Sequence, residues 1–145
     1  IVSIQNEYSL ICRIFDLDLA EVSINENVGL MAFSPLAAGG LSGKYVNGDI
    51  PDGSRRSMQE GLNGRYTEQS AAIISRYHEI AQKHDLNLAQ MALAFCLARP
   101  FMMSVIIGAT DINQLKVNIA AKDLALSPEV LADIQALYRQ HPMPM

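Results

Sequence analysis

The chain has 145 residues, of which 50% are hydrophobic and 18% are charged, and its formal net charge is −4. This composition is ordinary for a single globular region and too apolar for an intrinsically disordered chain. The mildly acidic balance, without a long basic run, argues against nucleic acid or an anionic membrane as a partner. The apolar stretches are also far too short to cross a bilayer.

Two cysteines, Cys12 and Cys96, lie in apolar segments without partners at the spacing of metal ligands. We therefore expect both to be reduced core residues of a cytoplasmic protein, and we expect no metal site. The three histidines, His78, His84 and His141, are expected at the surface or at helix ends.

Three short β-rich segments, Ile1–Gln5, Val28–Phe33 and Met103–Ile107, are each followed by polar or small residues and then by a helical pattern. Strands that alternate with helices in this way predict parallel strands joined by crossover connections. The first segment lacks an initiator methionine and has the pattern of a strand already under way. We therefore expect residues 1–145 to be a single region of a longer protein whose N-terminal half is absent.

The first crossover helix is predicted over Phe15–Asn25, with Leu17, Ala20 and Ile24 at helical spacing. Later helices are predicted to begin after the cap residues Thr67, Asn87, Asp111 and Ser127. Gln90, three residues after Asn87, makes a variant capping box. The apolar faces predicted for these four helices are Ile73, Tyr77, Ile80 and Ala81; Leu88, Met91, Ala92 and Phe95; Ile112, Leu115 and Ile119; and Leu131, Ile134 and Tyr138.

Three strands are too few to close a parallel barrel, which needs eight strands and about 250 residues. They would also leave two sheet edges unpaired. The pattern therefore leaves two α/β architectures open. One is a small open sheet, and the other is the last three strands of a barrel with the helices that follow them.

A long segment from Ser34 to Tyr66, which holds seven of the nine glycines, is predicted to be irregular. A loop of this length inside a compact domain is usually a lid or a binding loop. Its Gly43-Lys44 pair is similar to the end of an ATP-type phosphate loop. However, Ala38 stands at the first glycine position, and Tyr45 replaces the Ser or Thr that would hold magnesium. We reject that motif.

Small residues and basic residues remain as the notable feature of this segment. It follows the second predicted strand, which is where α/β folds place their ligands. Lys44, Arg55 and Arg56 form a cluster that can grip a pyrophosphate or a ribose phosphate. The alternative is a flexible loop with solvated basic residues.

A second candidate site follows the third strand. Gly108 makes a turn there, and Asp111 with Gln114 marks a helix start. Free backbone N–H groups and the positive end of the helix dipole favour an anion at such a position. The alternative is that Asp111 and Gln114 only cap the helix.

Three segments, in order and in spacing, resemble successive landmarks of the aldo-keto reductases. They are Gln5-Asn6-Glu7-Tyr8-Ser9, Phe33-Ser34-Pro35-Leu36 through Gly43-Lys44-Tyr45, and Gly108-Ala109-Thr110 through Gln114-Leu115-Asn118. The resemblance runs over essentially all 145 residues. It points to the branch with potassium-channel β-subunits, aflatoxin-aldehyde reductases and bacterial Tas-like reductases. It implies the C-terminal part of a (β/α)8 TIM barrel.

The resemblance also implies NADP(H) as the cofactor. Gln5 would face the nicotinamide carboxamide, and Phe33 would stack against the nicotinamide ring. The residues that would line the pyrophosphate are Ser34, Pro35, Leu36, Ala37 and Gly39. Lys44 and Arg55 would meet the phosphates, with Arg55 rather than Arg56 at the 2′-phosphate. The residues that would hold the adenosine end are Gly108, Thr110, Gln114 and Asn118.

The activity implied by the resemblance is hydride transfer from NADPH to a small-molecule aldehyde or ketone. The family's catalytic Asp, Tyr, Lys and His come from the first half of the barrel. We therefore expect no catalytic residue here and no activity of this chain alone, since Tyr8, Lys44 and Tyr45 match other positions. A channel-β-like sensor that binds nicotinamide and a partner, and a remnant with only a packing role, stay open. So does a homo-oligomer.

Overall fold

A computed structural model describes residues 1–145, and its centre is a sheet of three parallel strands. The strands are β1 (Ser3–Glu7), β2 (Gly29–Phe33) and β3 (Met102–Val105), in the spatial order β1-β2-β3. Both neighbouring pairs are parallel, so the crossover connections predicted from the sequence are confirmed. β1 and β3 form the two edges of this sheet.

The strand boundaries differ from the sequence predictions. β1 begins two residues later than expected and runs on to Glu7, because its register with β2 extends from Ser3 opposite Gly29 to Glu7 opposite Phe33. β3 ends earlier than expected, with an irregularity in its pairing at Leu30 and Met31 of β2.

Gly29 is required for the close approach of β2 and β3. A methyl group at Gly29 would lie 2.6 Å from Cβ of Met103, which is closer than real Cβ contacts. The absence of a side chain at Gly29 therefore lets these two strands pair.

The chain contains six α-helices besides the sheet. They are α1 (Leu19–Asn25), α2 (Arg55–Met58), α3 (Glu68–Lys83), α4 (Leu88–Leu97), α5 (Ile112–Ala120) and α6 (Pro128–Gln140). Short 3-10 stretches occur at Ile14–Asp16, Ala37–Ser42 and Ala121–Asp123. None of the helices combines the length and the apolar composition that crossing a membrane requires.

The predicted helix caps are confirmed. The side chains of Thr67, Asn87, Asp111 and Ser127 each accept a hydrogen bond from a backbone N–H in the first turn. The variant capping box predicted at Asn87 is only half formed, because the Gln90 side chain does not bond back to the Asn87 backbone. The Gln90 carboxamide donates to the Val117 carbonyl oxygen, 3.1 Å away, and so joins α4 to α5 instead of returning to the cap.

The hydrophobic core lies on one side of the sheet. Leu30 and Ala32 of β2 are fully buried there, in the same apolar cluster as residues of α3, α4 and α6. α4 is buried on nearly every side, from Leu88 to Cys96 except for the half-buried Gln90, which explains its nearly continuous run of apolar residues. Both cysteines are buried and unpaired, as the sequence predicts.

Two predicted apolar faces are wrong. The helix expected over Phe15–Asn25 is a 3-10 turn followed by α1. Leu17, which lies between the two, and Ile24 of α1 are exposed, whereas Ser23 is buried. Ser23 is buried because its hydroxyl donates to the Val28 carbonyl oxygen and holds the helix close to the sheet. In α5, Ile112 and Ile119 are exposed, and the residue buried against the neighbouring structure is Asn118.

A buried arginine connects α6 to the end of β1. Arg13 is 5% exposed, and its Nε donates to Asp16 Oδ2 at 2.6 Å. Its guanidinium carbon lies 3.8 Å from the centroid of the Tyr138 ring. The Tyr8 hydroxyl donates to the other oxygen of the same carboxylate at 2.7 Å. The Asp16 carboxylate therefore joins two residues close to it in the sequence, and the Arg13 guanidinium extends this group to Tyr138 of α6.

Candidate functional site

The carboxyl ends of the three strands meet at one edge of the sheet. Glu7 lies opposite Phe33 in the register, and the Ile106 N–H donates to the Ala32 carbonyl oxygen at 2.8 Å. Gln5 of β1 lies opposite Met31 of β2, and Phe33 follows two residues later along β2. Gln5 and Phe33 therefore lie on the same face of the sheet, which is the face away from the core. Gln5 is exposed and Phe33 is half-buried, so the two predicted nicotinamide contacts share an accessible face.

The segment after β2 turns through backbone conformations that side-chain-bearing residues rarely adopt. Ser34, Ala37 and Ala38 have φ values of 52°, 50° and 56°, and Gly39 has a φ of 103°. The turn is closed by the Gly39 N–H, which donates to the Leu36 carbonyl oxygen at 2.9 Å. Left-handed backbone costs on the order of 1–3 kcal/mol per non-glycine residue and collects at ligand-binding sites. The strain therefore marks this turn as a candidate binding segment.

Burial limits how the turn could contact a ligand. Pro35 and Ala37 are buried, and Ala37 is part of the hydrophobic core. Ser34, Leu36 and Gly39 are half-buried. A ligand would therefore meet the buried residues only through their backbone, as small residues allow.

The structure separates the two arginines that are adjacent in the sequence. Arg55 is exposed and forms no ion pair. Arg56 is half-buried, with its guanidinium carbon 4.2 Å from the centroid of the Tyr66 ring. Lys44 is half-buried, and its Nζ lies 5.3 Å from the centroid of the Tyr45 ring. Arg55 is thus the more accessible of the two arginines.

The predicted adenosine segment lies after β3. Gly108, Thr110 and Gln114 are exposed, and the Thr110 hydroxyl and N–H donate to Gln114 Oε1 at 3.2 and 3.4 Å. The Asp111 side chain caps α5 by accepting hydrogen bonds from the N–H groups of Asn113 and Gln114. This cap leaves Gly108, Thr110 and Gln114 exposed. Asn118, one turn further, is only 8% exposed. The structure therefore brings Thr110 and Gln114 together and leaves little of Asn118 accessible.

An ion pair that the sequence does not reveal closes the end of the long loop. Arg65 donates to both carboxylate oxygens of Glu7, with distances of 2.6 and 2.8 Å. The hydrogen bond that Arg65 donates to Glu7 raises the pKa of the Arg65 guanidinium. Residues 58 positions apart give no local signal, and this contact could be found only in the folded chain.

The tyrosines near the strand ends are poorly placed to donate a proton. Burial, and then the hydrogen bond to Asp16, raise the pKa of Tyr8 well above its ordinary value. Tyr45 is fully buried, and its hydroxyl accepts the Arg56 N–H at 3.2 Å. No group of three or more His, Cys, Asp or Glu side chains is close enough together to hold a metal ion.

A family model described as "Aldo/keto reductase family" matches residues 1–139. The chain belongs to the aldo/keto reductase family. The family assignment inferred from the three motif segments is therefore confirmed.

Several curated proteins resemble this aldo/keto reductase chain. Protein tas of Escherichia coli (strain K12) is 45% identical over 144 residues, which cover 99% of this chain and 42% of the relative. The probable voltage-gated potassium channel subunit beta of Oryza sativa subsp. japonica is 34% identical, covering 95% and 44%. L-glyceraldehyde 3-phosphate reductase of Escherichia coli O157:H7 is 38% identical, covering 90% and 39%. The chain thus spans about two-fifths of the length of these relatives.

Membership sets the general class of function. An aldo/keto reductase is an oxidoreductase, and relatives of this chain include one whose name describes a reductase. The three parallel strands with their helices are an α/β arrangement consistent with part of an aldo/keto reductase barrel.

Proposed function

We propose that this chain is the NADP(H)-binding, C-terminal portion of a (β/α)8-barrel aldo/keto reductase that reduces an aldehyde or a ketone. The observation that carries the proposal is the strained turn after β2, together with an exposed, unpaired Arg55 in the same loop segment. The turn follows directly on the carboxyl end of β2, and barrel enzymes build their sites at this end of their parallel strands. The chain spans about two-fifths of the length of its relatives, which supports its assignment as one portion of a barrel.

The residues present fit nicotinamide adenine dinucleotide phosphate. Gln5 and Phe33 offer a carboxamide and an aromatic ring on one accessible face of the sheet. The turn at Ala37 and Ala38 already has the left-handed backbone that brings main-chain atoms close to a ligand. Arg55 offers a planar guanidinium that can make two parallel bonds to a phosphate. When bound, the nicotinamide would supply the hydride.

Thr110 and Gln114 would hold the adenosine end of the cofactor. They are exposed and hydrogen-bonded to each other at the start of α5, where backbone N–H groups and the helix dipole favour negative charge. Lys44, half-buried beside the turn, would add a positive charge toward the pyrophosphate. Gly108 would let the backbone pass close to the ligand, since it carries no side chain, and the space beside it is open.

The proposal includes inactivity of the chain alone. Reduction of a carbonyl group needs a proton donor near the substrate oxygen. Tyr8 donates its hydroxyl to Asp16, and Tyr45 is buried, so neither is available for that step. A donor from another part of the protein would have to complete the site.

The proposal is tested by cofactor binding in two proteins. The first is the 145-residue chain, and the second is a hybrid in which this chain replaces the matching segment of E. coli protein tas. We expect the hybrid to bind NADPH and reduce an aromatic or dicarbonyl aldehyde, and the chain alone to show no turnover. Turnover by the chain alone would contradict its assignment as a non-catalytic portion. A hybrid that folds but binds no NADPH would overturn the proposal.

Arg55→Ala tests the role of the exposed arginine in the hybrid. A charge-assisted pair with the 2′-phosphate is worth about 1.5–3 kcal/mol, or roughly tenfold to a hundredfold in affinity. We therefore expect calorimetry to show NADPH binding weakened by that factor and NADH binding nearly unchanged. Arg55→Lys is the matched control and should lose less, because it keeps the charge without the bidentate geometry. Equal weakening of both cofactors would show that Arg55 supports the loop instead.

A second candidate is a nicotinamide-binding sensor that acts on a partner protein. The similarity to a probable voltage-gated potassium channel subunit beta favours it. It uses the same binding surface and needs no proton donor. A hybrid that binds NADPH with the expected dependence on Arg55 but shows no turnover would favour the sensor over the reductase.

A further inference from the structure

Two tyrosine rings lie directly beneath the strained turn. A methyl group at Gly39 would come within 3.9 Å of the Tyr45 ring, and one at Gly40 would come within 3.5 Å of the Tyr66 ring. The two rings meet edge to face, with centroids 5.8 Å apart. The Tyr66 hydroxyl donates to the Tyr45 carbonyl oxygen at 3.0 Å. The floor of the turn is therefore a single aromatic unit.

Arg56 fastens α2 to this aromatic unit. Its guanidinium carbon lies 4.2 Å from the Tyr66 centroid and 5.8 Å from the Tyr45 centroid. Its backbone N–H donates to the Tyr45 hydroxyl at 3.2 Å. Two of its side-chain nitrogens, Nε and Nη1, are buried without a hydrogen-bond partner. Arg56 therefore serves as a packing group whose charge rests on the rings, and it is unsuited to meet a ligand itself.

Arg55 precedes Arg56 on the same short helix, which has only four residues. A helix of one turn has little stability of its own, so its position depends on what it is attached to. Arg56 attaches α2 to the Tyr45 and Tyr66 rings, and these rings lie against the turn at Gly39 and Gly40. The exposed Arg55 and the strained turn are thus connected by a continuous set of contacts.

We infer that Tyr45, Arg56 and Tyr66 form a positioning cluster that sets the location of Arg55 relative to the turn at Gly39. The inference rests on the proposed function, in which the turn meets the pyrophosphate and Arg55 meets the 2′-phosphate. Those two groups belong to one cofactor molecule, so they take one separation when the cofactor is bound. A protein that fixes the same separation in advance does not lose binding free energy in ordering the loop. Arg56 is accordingly a positioning residue for the selection of NADPH.

The first test uses the full 145-residue chain without any ligand. Amide hydrogen exchange is measured by NMR for Gly39 and Leu41, whose N–H groups both donate to the Leu36 carbonyl oxygen. Loss of a cation–π contact predicts that Arg56→Ala speeds this exchange roughly three- to thirtyfold. Arg55→Ala, its exposed neighbour, is the matched control and should leave the exchange unchanged. Unchanged exchange in Arg56→Ala would show that the cluster does not connect α2 to the turn.

The second test measures NADPH and NADH affinities in the hybrid protein. Arg56→Ala should weaken NADPH binding about three- to tenfold more than NADH binding, since a mobile α2 misplaces Arg55. Arg56→Lys, which keeps a cation over the Tyr66 ring, should restore part of the preference. Equal weakening of both cofactors would overturn the inference and leave the proposed function intact. No NADPH binding by the unsubstituted hybrid would overturn the proposed function itself.

Discussion

Replacing Arg13 by methionine should destabilise the chain more than almost any other single substitution at a charged residue. Arg13 is 5% exposed and donates to Asp16, whose carboxylate is itself mostly buried. Without the guanidinium, Asp16 would keep only the hydrogen bond from the Tyr8 hydroxyl. Removing one partner of a buried ion pair costs about 3–5 kcal/mol, because a charge is left uncompensated. The lost stacking on Tyr138 acts in the same direction.

Urea unfolding of the chain measures this loss. With a denaturant slope near 2 kcal/mol per molar urea, the midpoint should fall by about 1.5–2.5 M. Adding Asp16→Asn to Arg13→Met should recover a substantial part of the loss, because the amide oxygen still accepts from the Tyr8 hydroxyl without carrying charge. Lys122→Met, which breaks an exposed pair with Asp123, should change stability by less than about 0.5 kcal/mol. A loss below about 1 kcal/mol for Arg13→Met, or no recovery in the double variant, would refute the reasoning.

Three further predictions concern packing, pH and thiol chemistry. Gly29→Ala should destabilise the chain by about 1–3 kcal/mol in urea unfolding, because its new methyl group would overlap Met103. Hydrogen bonds, first from Lys83, lower the pKa of Asp133, so this carboxylate stabilises the folded state above its ordinary pKa of about 3.9. The stability difference between the chain and Asp133→Asn should therefore vanish as the pH falls from about 4 to below the folded pKa. Burial raises the pKa of Cys96 to about 12, so a disulfide reagent at pH 8 should react with this thiol only after unfolding.

Each of these predictions has a contradicting outcome. Gly61→Ala is the control for the strand substitution, since its methyl group would meet nothing within 4 Å, and equal losses would show that strand contact is irrelevant. An acid-stability profile of Asp133→Asn parallel to that of the unsubstituted chain would remove the link to the Lys83 ion pair. Rapid labelling of Cys96 in the folded chain would show that α4 opens far more readily than its burial suggests.

The sequence predicted helix starts better than helix faces, for a physical reason. A cap such as Thr67 or Asp111 depends on backbone groups two or three residues away, so the information is local. Which side of α5 becomes buried depends on how α4 lies beside it. Ile112 and Ile119 have the spacing of a core face in the sequence, yet both are exposed and the residue that is buried is Asn118. Apolar periodicity identifies a helix, but its burial is decided by tertiary contacts.

The candidate site was predictable where it depends on order along the chain. The positions of the turn and of the segment after β3 follow from the carboxyl ends of parallel strands, and the sequence placed both there. The ion pair between Arg65 and Glu7 was not predictable, because the two residues are distant in sequence. The different surroundings of Arg55 and Arg56 depend on two aromatic rings that only the folded loop brings together.

The left-handed alanines at positions 37 and 38 affect how a ligand would be captured. Glycine would adopt these φ values of 50° and 56° with less strain, but a glycine turn samples many other shapes when it is empty. Alanine reduces the number of backbone conformations that the segment can adopt when it is unfolded or mobile. The surrounding core holds Ala37 in the left-handed conformation. A ligand that docks on this turn therefore meets a preorganised surface. Little conformational entropy is lost when the ligand binds, because the free-energy cost of the strained backbone is already met when the chain folds.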